Sequence, residues 1–527
     1  MLASGSCRNT FRKQTPEILP LHRAGFSRAK LQTGLMMYTL ITGATGLVGR
    51  YLIRDLLLNG HMLALVVRGS RRSTARERIE QIMQYWEQQH QRPLPRPVVL
   101  DGDISQPCFG LSACDQEWIR TNCSSIIHSA AILEFFGADR AGEPWRTNLD
   151  GTRHMLELCE HVGIRDIHYV STAYVAGMQT GIVQESSLAA GQTFRNDYEA
   201  SKFEAESLVR NATFPEHVTV YRPAVICGDS QTGYTNTYHG LFVYLRLMAM
   251  LIPCIPQGPD GLRHTPIRLS FTGDEQRNLI PVDWVSAVMC RLFQNPAARG
   301  RTFHLVPDVP TSARHLIDCC AEYFQSTGVL YAGDPDPVNA ADVPLSEDQR
   351  MFESLFRENA ETYANYETTD NTFDATNTRH FAPDLPCPPI DRTIIHRYIE
   401  FGNSDKWGKK RPDYTPVPVW FEDFCRQAVI PDRSPSVRVG LNALGHGGAQ
   451  LTLEFSASEL VSVSRGLPAE PIPTLTASTS ELHKALLGTL PGAELHTNWE
   501  HCADDQAEWL TSLLLNALSP DASPVSV

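Results

Sequence analysis

Residues 41–49 read ITGATGLVG and directly follow a short apolar run, MMYTL. Three glycines recur at every third position: Gly43, Gly46 and Gly49. Between a strand and a helix, such a turn lets the backbone approach the pyrophosphate of a dinucleotide, which then rests on the positive N-terminus of the helix. The stretch therefore predicts a cofactor site, with a ligand-free strand-to-helix turn as the alternative.

Strand and helix patterns alternate from this stretch to about residue 230. Six apolar runs are predicted strands, and TFHLVP adds one more further along: YTLIT, HMLALVVR, PVVLDGD, SSIIHSAA, IHYVSTAYV and VTVYRP. Short apolar runs separated by helical patterns predict βαβ units and a parallel sheet covered on both faces. The predicted fold class is α/β, a Rossmann-type doubly wound parallel sheet with a smaller substrate lobe and a C-terminal α+β appendage.

Shifts in composition divide the chain into four predicted parts. Residues 1–36 form a basic tail, either disordered or an organelle presequence. Residues 37–310 form the nucleotide-binding domain, with a substrate lobe mainly over 231–275. Residues 311–430 are expected to add the helical remainder of that lobe and a proline-rich linker, and residues 434–527 form a C-terminal α/β unit.

Net charge and cysteine usage argue against several classes of protein. The net charge of −13 and a pI near 5.8 disfavour a general nucleic-acid binder, which needs a basic face. The 13 cysteines lack CxxC spacing, so we expect reduced thiols, a cytoplasmic protein and no metal site. The most apolar run, residues 241–256, is shorter than the ~20 residues of a membrane span, and no integral span is predicted.

Arginines follow the second predicted strand, where an NAD-binding protein would carry an acid for the ribose 2′-hydroxyl. The strand ends in Arg68, and Arg71, Arg72, Arg76 and Arg78 come next. Guanidinium groups suit a 2′-phosphate because they are planar and donate two hydrogen bonds at once. The pattern predicts NADP, with a solvated basic helix face as the alternative for some of these side chains.

The stretch YEASK places Tyr198 and Lys202 on one helix face, four residues apart. A free tyrosine has a pKa of ~10, and a neighbouring ammonium is expected to lower it, which makes the pair a candidate proton donor. In VSTAYV, Ser171 and Thr172 end the fifth predicted strand, at the sheet edge where open α/β folds bind ligands. Glycine turn, Ser/Thr and Tyr-x-x-x-Lys thus occur in order, each on its proper element.

Together these motifs resemble the extended short-chain dehydrogenases/reductases over roughly residues 38–310. Within them the chain is most similar to the thioester reductase domains of carboxylic acid reductases and peptide synthetases, and to their fatty acyl-CoA reductase relatives. The stretches that carry the resemblance are TGATGLVG, LVVRGSRRSTARERIE, LDGDISQPCFGLS, IIHSAAI, NLDGT, VSTAYVAG, YEASK, YRPAVICGDSQTG and LIPVDWV. Ile104 departs from the family pattern, which has leucine there.

The resemblance implies an NADPH-dependent oxidoreductase that reduces an acyl thioester to an aldehyde, with onward reduction to the alcohol left open. It implies that Thr172, Tyr198 and Lys202 are catalytic. The implied NADP-binding residues are Gly43, Thr45, Gly46, Leu47, Val48, Gly49, Arg68, Arg78, Asp103, Ile104, Ser129, Ala130, Ala131 and Pro223. Because the sequence has no adenylation or carrier domain, the thioester is expected to arrive in trans, on CoA or on a carrier protein.

Two alternatives remain. An extended short-chain reductase, dehydrogenase or epimerase would act on a free carbonyl or alcohol such as a steroid or sugar nucleotide; the ten-residue spacing of Arg68 and Arg78 and the GLS segment weigh against it. An NADP-sensing regulator would have the same fold without catalysis. Such regulators typically lack the Tyr-x-x-x-Lys pair, which is intact in this sequence.

Two segments outside the motifs carry weaker predictions. Residues 434–527 faintly resemble sterol-carrier-type lipid-binding domains in QLTLEFSASELVSVSRG, with a unit that only packs or dimerises as the alternative. The run LFVYLRLMAMLIP is expected either to line an acyl-chain site or to form the core of the lobe. Its Arg246 is hypothesised to face the mouth of the cleft and meet a phosphate of CoA or phosphopantetheine.

Overall fold

The computed structural model describes residues 37–269, 271–332, 368–410, 413–430, 434–487, 495–496 and 498–519, with single positions from 347 to 358 and residue 489. The predicted tail, residues 1–36, lies outside the described residues, as does most of 333–367.

Strands and helices alternate as the apolar runs predict. The described strands are β1 (Tyr38–Thr42), β2 (Leu63–Val67), β3 (Val98–Asp101), β4 (Cys123–His128), β5 (Asp166–Val170), β6 (Ile182–Val183), β7 (His217–Pro223), β8 (Val225–Cys227), β9 (Arg263–Arg268), β10 (Gln276–Arg277), β11 (Leu279–Pro281), β12 (Thr302–Leu305), β13 (Thr311–Ser312), β14 (Ser326–Leu330), β15 (Thr372–Phe373), β16 (Val437–Leu444), β17 (Ala449–Ser456), β18 (Glu459–Arg465), β19 (Thr474–Ser478) and β20 (Asn498–Glu500). The described helices are α1 (Leu47–Leu58), α2 (Ala75–His90), α3 (Ala113–Asn122), α4 (Gly151–Val162), α5 (Asp197–Asn211), α6 (Leu241–Leu251), α7 (Val282–Gln294), α8 (Ala313–Phe324), α9 (Thr376–Phe381), α10 (Arg392–Ser404), α11 (Phe421–Gln427), α12 (Thr479–Leu486) and α13 (Asp504–Leu518).

Seven of these strands form the central sheet, in the order β12-β7-β5-β4-β1-β2-β3. Every neighbouring pair is parallel. All five residues of β1 and of β2 are buried, which explains why the sequence has continuous apolar runs there instead of alternation. The strand order reverses beside β1, so the glycine turn that follows β1 lies at the switch point of the sheet. The predicted doubly wound α/β fold is confirmed.

Helices cover both faces of this sheet. One core contains Ile53 of α1, Met83 of α2 and Val288 of α7. The opposite core contains Met155 of α4 and Val209 of α5, together with Ile119 of α3. The nucleotide-binding domain therefore has the two apolar layers expected of a parallel sheet that is buried on both sides.

The substrate lobe combines residues 231–275 with helices from residues 311–430, the segment predicted to supply its helical remainder. Helices α6, α8 and α10 share one core, which includes Leu245, Cys320 and Tyr398. Strand β14, in a region predicted to be helical, pairs in parallel with β9. Its sequence, STGVL, is rich in strand-forming residues, and the edge of β9 supplies backbone partners that a local pattern cannot reveal.

The C-terminal unit is a five-stranded mixed sheet in the order β18-β17-β16-β19-β20, packed with helices α12 and α13. Helix α11 begins before the boundary expected at residue 434, and its Phe421 and Cys425 are fully buried in this core. The last part of the predicted linker therefore packs with the C-terminal unit.

The C-terminal unit is attached to the nucleotide-binding domain by specific hydrogen bonds. The Tyr38 hydroxyl, at the start of β1, donates to Gln450 Oε1 (2.9 Å) and accepts from the Leu467 N–H (2.8 Å). Trp118 Nε1 donates to the Arg465 carbonyl at 2.8 Å. These contacts fix the unit at the N-terminal end of the central strand.

Removing the Tyr38 hydroxyl tests this attachment. Tyr38→Phe should lower the free energy of unfolding by about 1–3 kcal/mol, because it leaves two polar groups at a largely buried contact without their partner. Denaturant titration followed by fluorescence and circular dichroism gives the value. Tyr323→Phe is the control, since the Tyr323 hydroxyl makes no hydrogen bond to a described residue and its loss should cost under about 0.5 kcal/mol. Equal losses in the two variants would contradict the assignment.

Candidate active site

The glycine turn between β1 and α1 is too tight for a side chain at two of its positions. Gly43 has φ +73°, and a Cβ there would lie 2.6 Å from the backbone of Ser129 and Ala130. A Cβ on Gly49 would collide with the Gly43 carbonyl. No side chain caps the N-terminus of α1, so the turn and the first helical amides suit an anion such as a pyrophosphate. The geometry fits the predicted dinucleotide.

Arginines gather beside this turn. Arg78 Nη2 donates to Thr45 Oγ1 at 3.1 Å, and its other terminal nitrogen donates to the Arg68 carbonyl. Arg68, with 70% of its side chain exposed, reaches Asp103 at 3.1 Å. Burial and the positive charges of Arg68 and Arg50 lower the pKa of Arg78, so an anion placed here would stabilise its charged form.

Two of the neighbours of Thr45 were missed by the sequence analysis. Arg50 Nε donates to the Thr45 carbonyl at 3.2 Å while its Nη1 donates to the Tyr234 hydroxyl at 2.7 Å. Asn236 Nδ2 also donates to the Thr45 carbonyl, at 3.2 Å. Arg50 lies one turn from Gly46 on α1, a sequence signal that could have identified it. Asn236 comes from a loop some 190 residues away and gives no such signal.

Arg76 belongs to a different contact from the one its neighbours make. It forms ion pairs with Glu422 (3.4 Å) and Asp423 (3.2 Å) and lies over the Trp420 ring at 4.6 Å. This arginine therefore links α2 to the C-terminal unit. Arg68 and Arg78 remain beside the glycine turn.

Helix α5 carries Tyr198 and Lys202, and its start is fixed by Asn196, whose side chain accepts from the Glu199 N–H at 3.0 Å. Tyr198 lies beside Thr172, which comes two residues after the end of β5 and is 4% exposed. Burial raises the pKa of Tyr198 to about 12, with hydrogen bonding to Thr172 opposing the shift. The two hydroxyls thus meet at the edge of the sheet, as the sequence predicts.

Lys202 is bound differently from the prediction. Its Nζ donates to the Tyr169 hydroxyl (3.0 Å) and to the Val170 carbonyl (2.8 Å) and lies 4.5 Å from the centre of the Tyr169 ring. Burial lowers the pKa of Lys202 to about 7, opposed by the charge of Glu206. The expectation that the ammonium lowers the pKa of Tyr198 is wrong for this arrangement, because the cost of burying a phenolate dominates and raises that pKa.

A buried ion pair between Glu206 and Arg222 lies next to the candidate catalytic residues. Glu206, four residues after Lys202, accepts from Ser171 Oγ (2.6 Å) and from Arg222 Nη2 (2.6 Å). Arg222 Nη1 lies 3.2 Å from His304 Nε2 on the neighbouring strand. Ser171, a candidate ligand residue from the sequence, is therefore bound to this ion pair. Neither partner of the pair was predicted from the sequence: Glu206 lies four residues beyond YEASK, and Arg222 lies within the quoted stretch YRPAVICGDSQTG.

One cavity of about 740 Å³ joins the glycine turn, the hydroxyl pair and the substrate lobe. The predicted site residues that line it are Gly43, Gly46, Leu47, Val48, Gly49, Ser129, Ala131, Thr172, Tyr198, Lys202 and Pro223. The lobe contributes mainly apolar side chains, including Phe242, Leu245 and Met248 of α6. The wall thus provides both a nucleotide cradle and an apolar compartment beside Tyr198.

The other predicted cofactor residues do not line the cavity; they are Thr45, Arg68, Arg78, Asp103, Ile104 and Ala130. Four of them form the hydrogen-bonded arginine group described above. Ala130 packs against Gly43. The Ile104 side chain packs near Gly151, where an added Cβ would lie 3.1 Å away, and its carbonyl is 3.0 Å from His154 Nδ1.

Arg246 does not occupy the position hypothesised for it. It is absent from the cavity wall, which α6 lines instead with Leu241, Tyr244 and Leu245. Its Nε is buried and makes no hydrogen bond within the part of the chain that the structure describes. The helical twist explains the error, because a residue one position after Leu245 points about 100° away from it.

Comparisons with known proteins support the predicted resemblance. Residues 41–289 match the NAD-binding family model described as male sterility protein. Over these residues the chain is similar to that family. The match confirms the predicted resemblance and, together with the relatives below, the predicted class of enzyme, a nicotinamide-dependent oxidoreductase.

Two relatives of this chain are named as a peptide synthetase and as an aldehyde reductase. The nonribosomal peptide synthetase hkm10 of Aspergillus hancockii is 25% identical over 386 residues, which cover 68% of this chain and 36% of the relative. The aldehyde reductase lnaA of Aspergillus flavus is 27% identical over 399 residues, covering 68% of this chain and 35% of the relative. The chain thus spans about a third of the length of these two proteins.

A solved structure supports the fold. The terminal R domain from the myxalamid PKS-NRPS biosynthetic pathway matches with a TM-score of 0.54 at 24% identity, covering 72% of this chain and 94% of that domain. The functions of the individual site residues stay predictions.

Membrane-spanning helices and metal sites are two further features to consider in the described residues. None of the helices described is both long and apolar enough to cross a membrane. Among the same residues, no group of three or more His, Cys, Asp and Glu side chains is arranged to hold a metal ion.

The buried ammonium of Lys202 makes stability depend on pH. Between about pH 7 and 10.5, the unfolded chain holds a proton on Lys202 that the folded protein has lost. The contribution of Lys202 to the free energy of unfolding therefore rises with pH in this window, and Lys202→Met lacks this contribution. In the absence of cofactor, the free energy of unfolding of the wild type minus that of the variant should rise by up to about 1.4 kcal/mol per pH unit. Urea titration at each pH measures both values.

The exposed residue Lys409 supplies the control. Lys409→Met should leave the difference between wild type and variant flat across the same window, because this side chain is exposed to solvent. A flat difference for Lys202→Met as well would show that burial does not lower the pKa of Lys202.

Proposed function

We propose that this chain reduces an acyl thioester with NADPH, releasing an aldehyde and a thiol. One observation carries the proposal: a single cavity is lined by the glycine turn, by Thr172 and Tyr198, and by the apolar side chains of α6. A thioester has a carbonyl for the hydroxyl pair and an acyl chain for the apolar wall. The resemblance to thioester reductase domains supports the same substrate class.

NADPH rather than NADH is proposed as the reductant because of the charges beside the turn. Arg68 and Arg78 lie at hydrogen-bonding distance of Asp103 and Thr45, and the neighbouring Arg50 adds a third positive charge. A 2′-phosphate would accept charged hydrogen bonds from such a group. A lone Asp103 at the edge of this group does not outweigh three guanidinium ions.

When bound, the reduced nicotinamide supplies the hydride that the thioester carbonyl carbon accepts. Thr172 and Tyr198 hydrogen-bond the carbonyl oxygen, so negative charge is stabilised as it develops there. The Tyr198 hydroxyl, kept protonated at neutral pH by its raised pKa of about 12, donates its proton to that oxygen. The resulting hemithioacetal collapses to aldehyde and thiol. Lys202, near its pKa of about 7, can return a proton to Tyr198.

The names of a relative and of a matching solved structure favour a carrier-bound thioester over acyl-CoA. One relative is named as a nonribosomal peptide synthetase, and the matching solved structure is a terminal R domain from a PKS-NRPS pathway. The family resemblance implies that such domains act on thioesters of a phosphopantetheine arm. Acyl-CoA presents the same arm and is the alternative carrier.

A panel of thioesters tests the proposal. NADPH oxidation is followed with medium- and long-chain acyl-CoA and with the same acyl groups on a phosphopantetheine carrier protein, while free thiol is titrated and products are identified by mass spectrometry. We expect aldehyde or alcohol to form together with thiol. Turnover of simple ketones with none of the thioesters would favour the free-carbonyl alternative and contradict the proposal.

Tyr198→Phe removes the proposed proton donor and keeps the ring. Turnover should fall by ~10²–10⁴, the usual contribution of general acid catalysis, while NADPH affinity measured by fluorescence stays nearly unchanged. Tyr323→Phe, outside the cavity, is the control and should retain full turnover. Undiminished turnover of Tyr198→Phe would mean that the proton comes from another group.

Arg68→Ala and Arg78→Ala test the choice of cofactor. Each should weaken NADPH by about tenfold to a hundredfold, the value of a hydrogen bond to a charged group, and should change NADH affinity far less. Arg72→Ala, on the exposed side of the same segment, is the matched control. If either variant weakened NADPH and NADH equally, the arginine would have a structural role and the NADP assignment would lose its basis.

A further inference from the structure

On the lobe side of the cavity, a carboxyl group lies among mainly apolar side chains. Asp370 lines the cavity among apolar side chains such as Ile226, Leu279 and Phe271. Arg277 also lines it, with Nη1 donating to the Thr368 carbonyl at 2.7 Å. Burying a charged group among apolar side chains costs free energy unless the group is hydrogen-bonded. The hydrogen bonds of Asp370 therefore show which of its oxygens is available to a ligand.

One oxygen of Asp370 is fully used and the other is not. Oδ2 accepts from the Tyr174 hydroxyl (2.9 Å) and from the Asn278 N–H (2.8 Å). The backbone N–H of Asp370 donates to the Gln276 carbonyl at 3.0 Å, which fixes the residue against β10. Within the described residues, Oδ1 accepts no hydrogen bond. The oxygen of an amide or a hydroxyl could accept these same two hydrogen bonds. Anchoring alone therefore does not require a carboxylate.

Asp370 is connected to the hydroxyl pair through Tyr174. The Tyr174 backbone N–H donates to Thr172 Oγ1 at 3.3 Å, and its hydroxyl donates to Asp370 Oδ2 at 2.9 Å. Thr172 and Asp370 are therefore separated by no more than one tyrosine residue and these two hydrogen bonds. Because both residues line the same cavity, an acyl group whose carbonyl meets Thr172 can extend along the wall to Asp370.

We propose that Asp370 is a specificity-determining residue, and that Oδ1 accepts a hydrogen bond from a donor, such as a hydroxyl, on the first few carbons of the acyl chain. The inference rests on the proposed thioester reduction. It narrows the substrate class to acyl groups that carry a hydrogen-bond donor near the thioester and are apolar beyond it. An oxo group at the same carbon is disfavoured, because it would direct its lone pairs at the carboxylate.

The test compares decanoyl thioesters that are saturated, 3-hydroxy, 5-hydroxy, 3-oxo or 5-oxo, on CoA or, if CoA thioesters are not turned over, on a phosphopantetheine carrier protein. Thiol release with NADPH, minus thiol release without it, gives kcat/KM, so neither reduction of the oxo group nor lactone formation by the 5-hydroxy chain is counted. Because burial raises the pKa of Asp370, opposed by Arg277 and Arg195, the assays are run at pH 8. The wild-type protein should prefer a hydroxyl, at one of the two positions, to the saturated chain by at least about tenfold.

Asp370→Asn should reverse the preference. The amide oxygen takes over the bonds from Tyr174 and Asn278, so the NH₂ group faces the cavity and donates. The oxo thioester should then gain on the hydroxy thioester by about tenfold or more. Asp370→Ala should bring all ratios near one. Asp308→Asn, at an exposed carboxylate paired with Arg379, is the control and should keep the wild-type ratios.

The outcomes separate this inference from the proposed function. If the wild-type protein releases no thiol from any of these thioesters, the proposed function fails. If it reduces the saturated chain and the hydroxy chains equally, or if Asp370→Asn keeps the wild-type ratios, Asp370 has only its anchoring role. The wild-type comparison decides the point even if both variants fail to fold.

Discussion

One buried carboxylate, Glu206, connects the elements that carry the proposed catalytic residues. It lies on α5, four residues after Lys202, and binds Ser171 directly after β5 and Arg222 on β7. Removing one partner of such a buried pair leaves an uncompensated charge, so the three elements are held in one arrangement. Thr172 and Pro223 directly follow these anchored residues, and both line the cavity. The position of the hydroxyl pair therefore depends on this ion pair.

Burial then sets the proton chemistry of the site. The same desolvation raises the pKa of Tyr198 to about 12 and lowers that of Lys202 to about 7, because in each case the charged form loses its hydration. The tyrosine therefore keeps its proton at neutral pH, and the pKa of the lysine lies close to neutral pH. The lobe places apolar side chains such as Leu245 and Met248 in the wall of the same cavity.

Local patterns in the sequence predicted the parts of the molecule that local physics determines. The glycine turn, the strands of the central sheet and the α5 helix follow from turn sterics, burial and spacing, and the structure has them where predicted. Long-range contacts were not visible: Arg76 is committed to the C-terminal unit, and Lys202 to Tyr169. Arg246 was misjudged because an interruption in an apolar run does not show which way the helix turns.

Whether hydride reaches a thioester carbonyl in this cavity is tested most directly with NADPH deuterated at both C4 positions. The protein is incubated with an acyl thioester, and the product and the free thiol are analysed by mass spectrometry and titration. The account predicts one deuterium on the former carbonyl carbon of the aldehyde, or two on that of the alcohol, with one thiol released per product molecule. Thiol release with an unlabelled acid as product would be hydrolysis and would contradict the account.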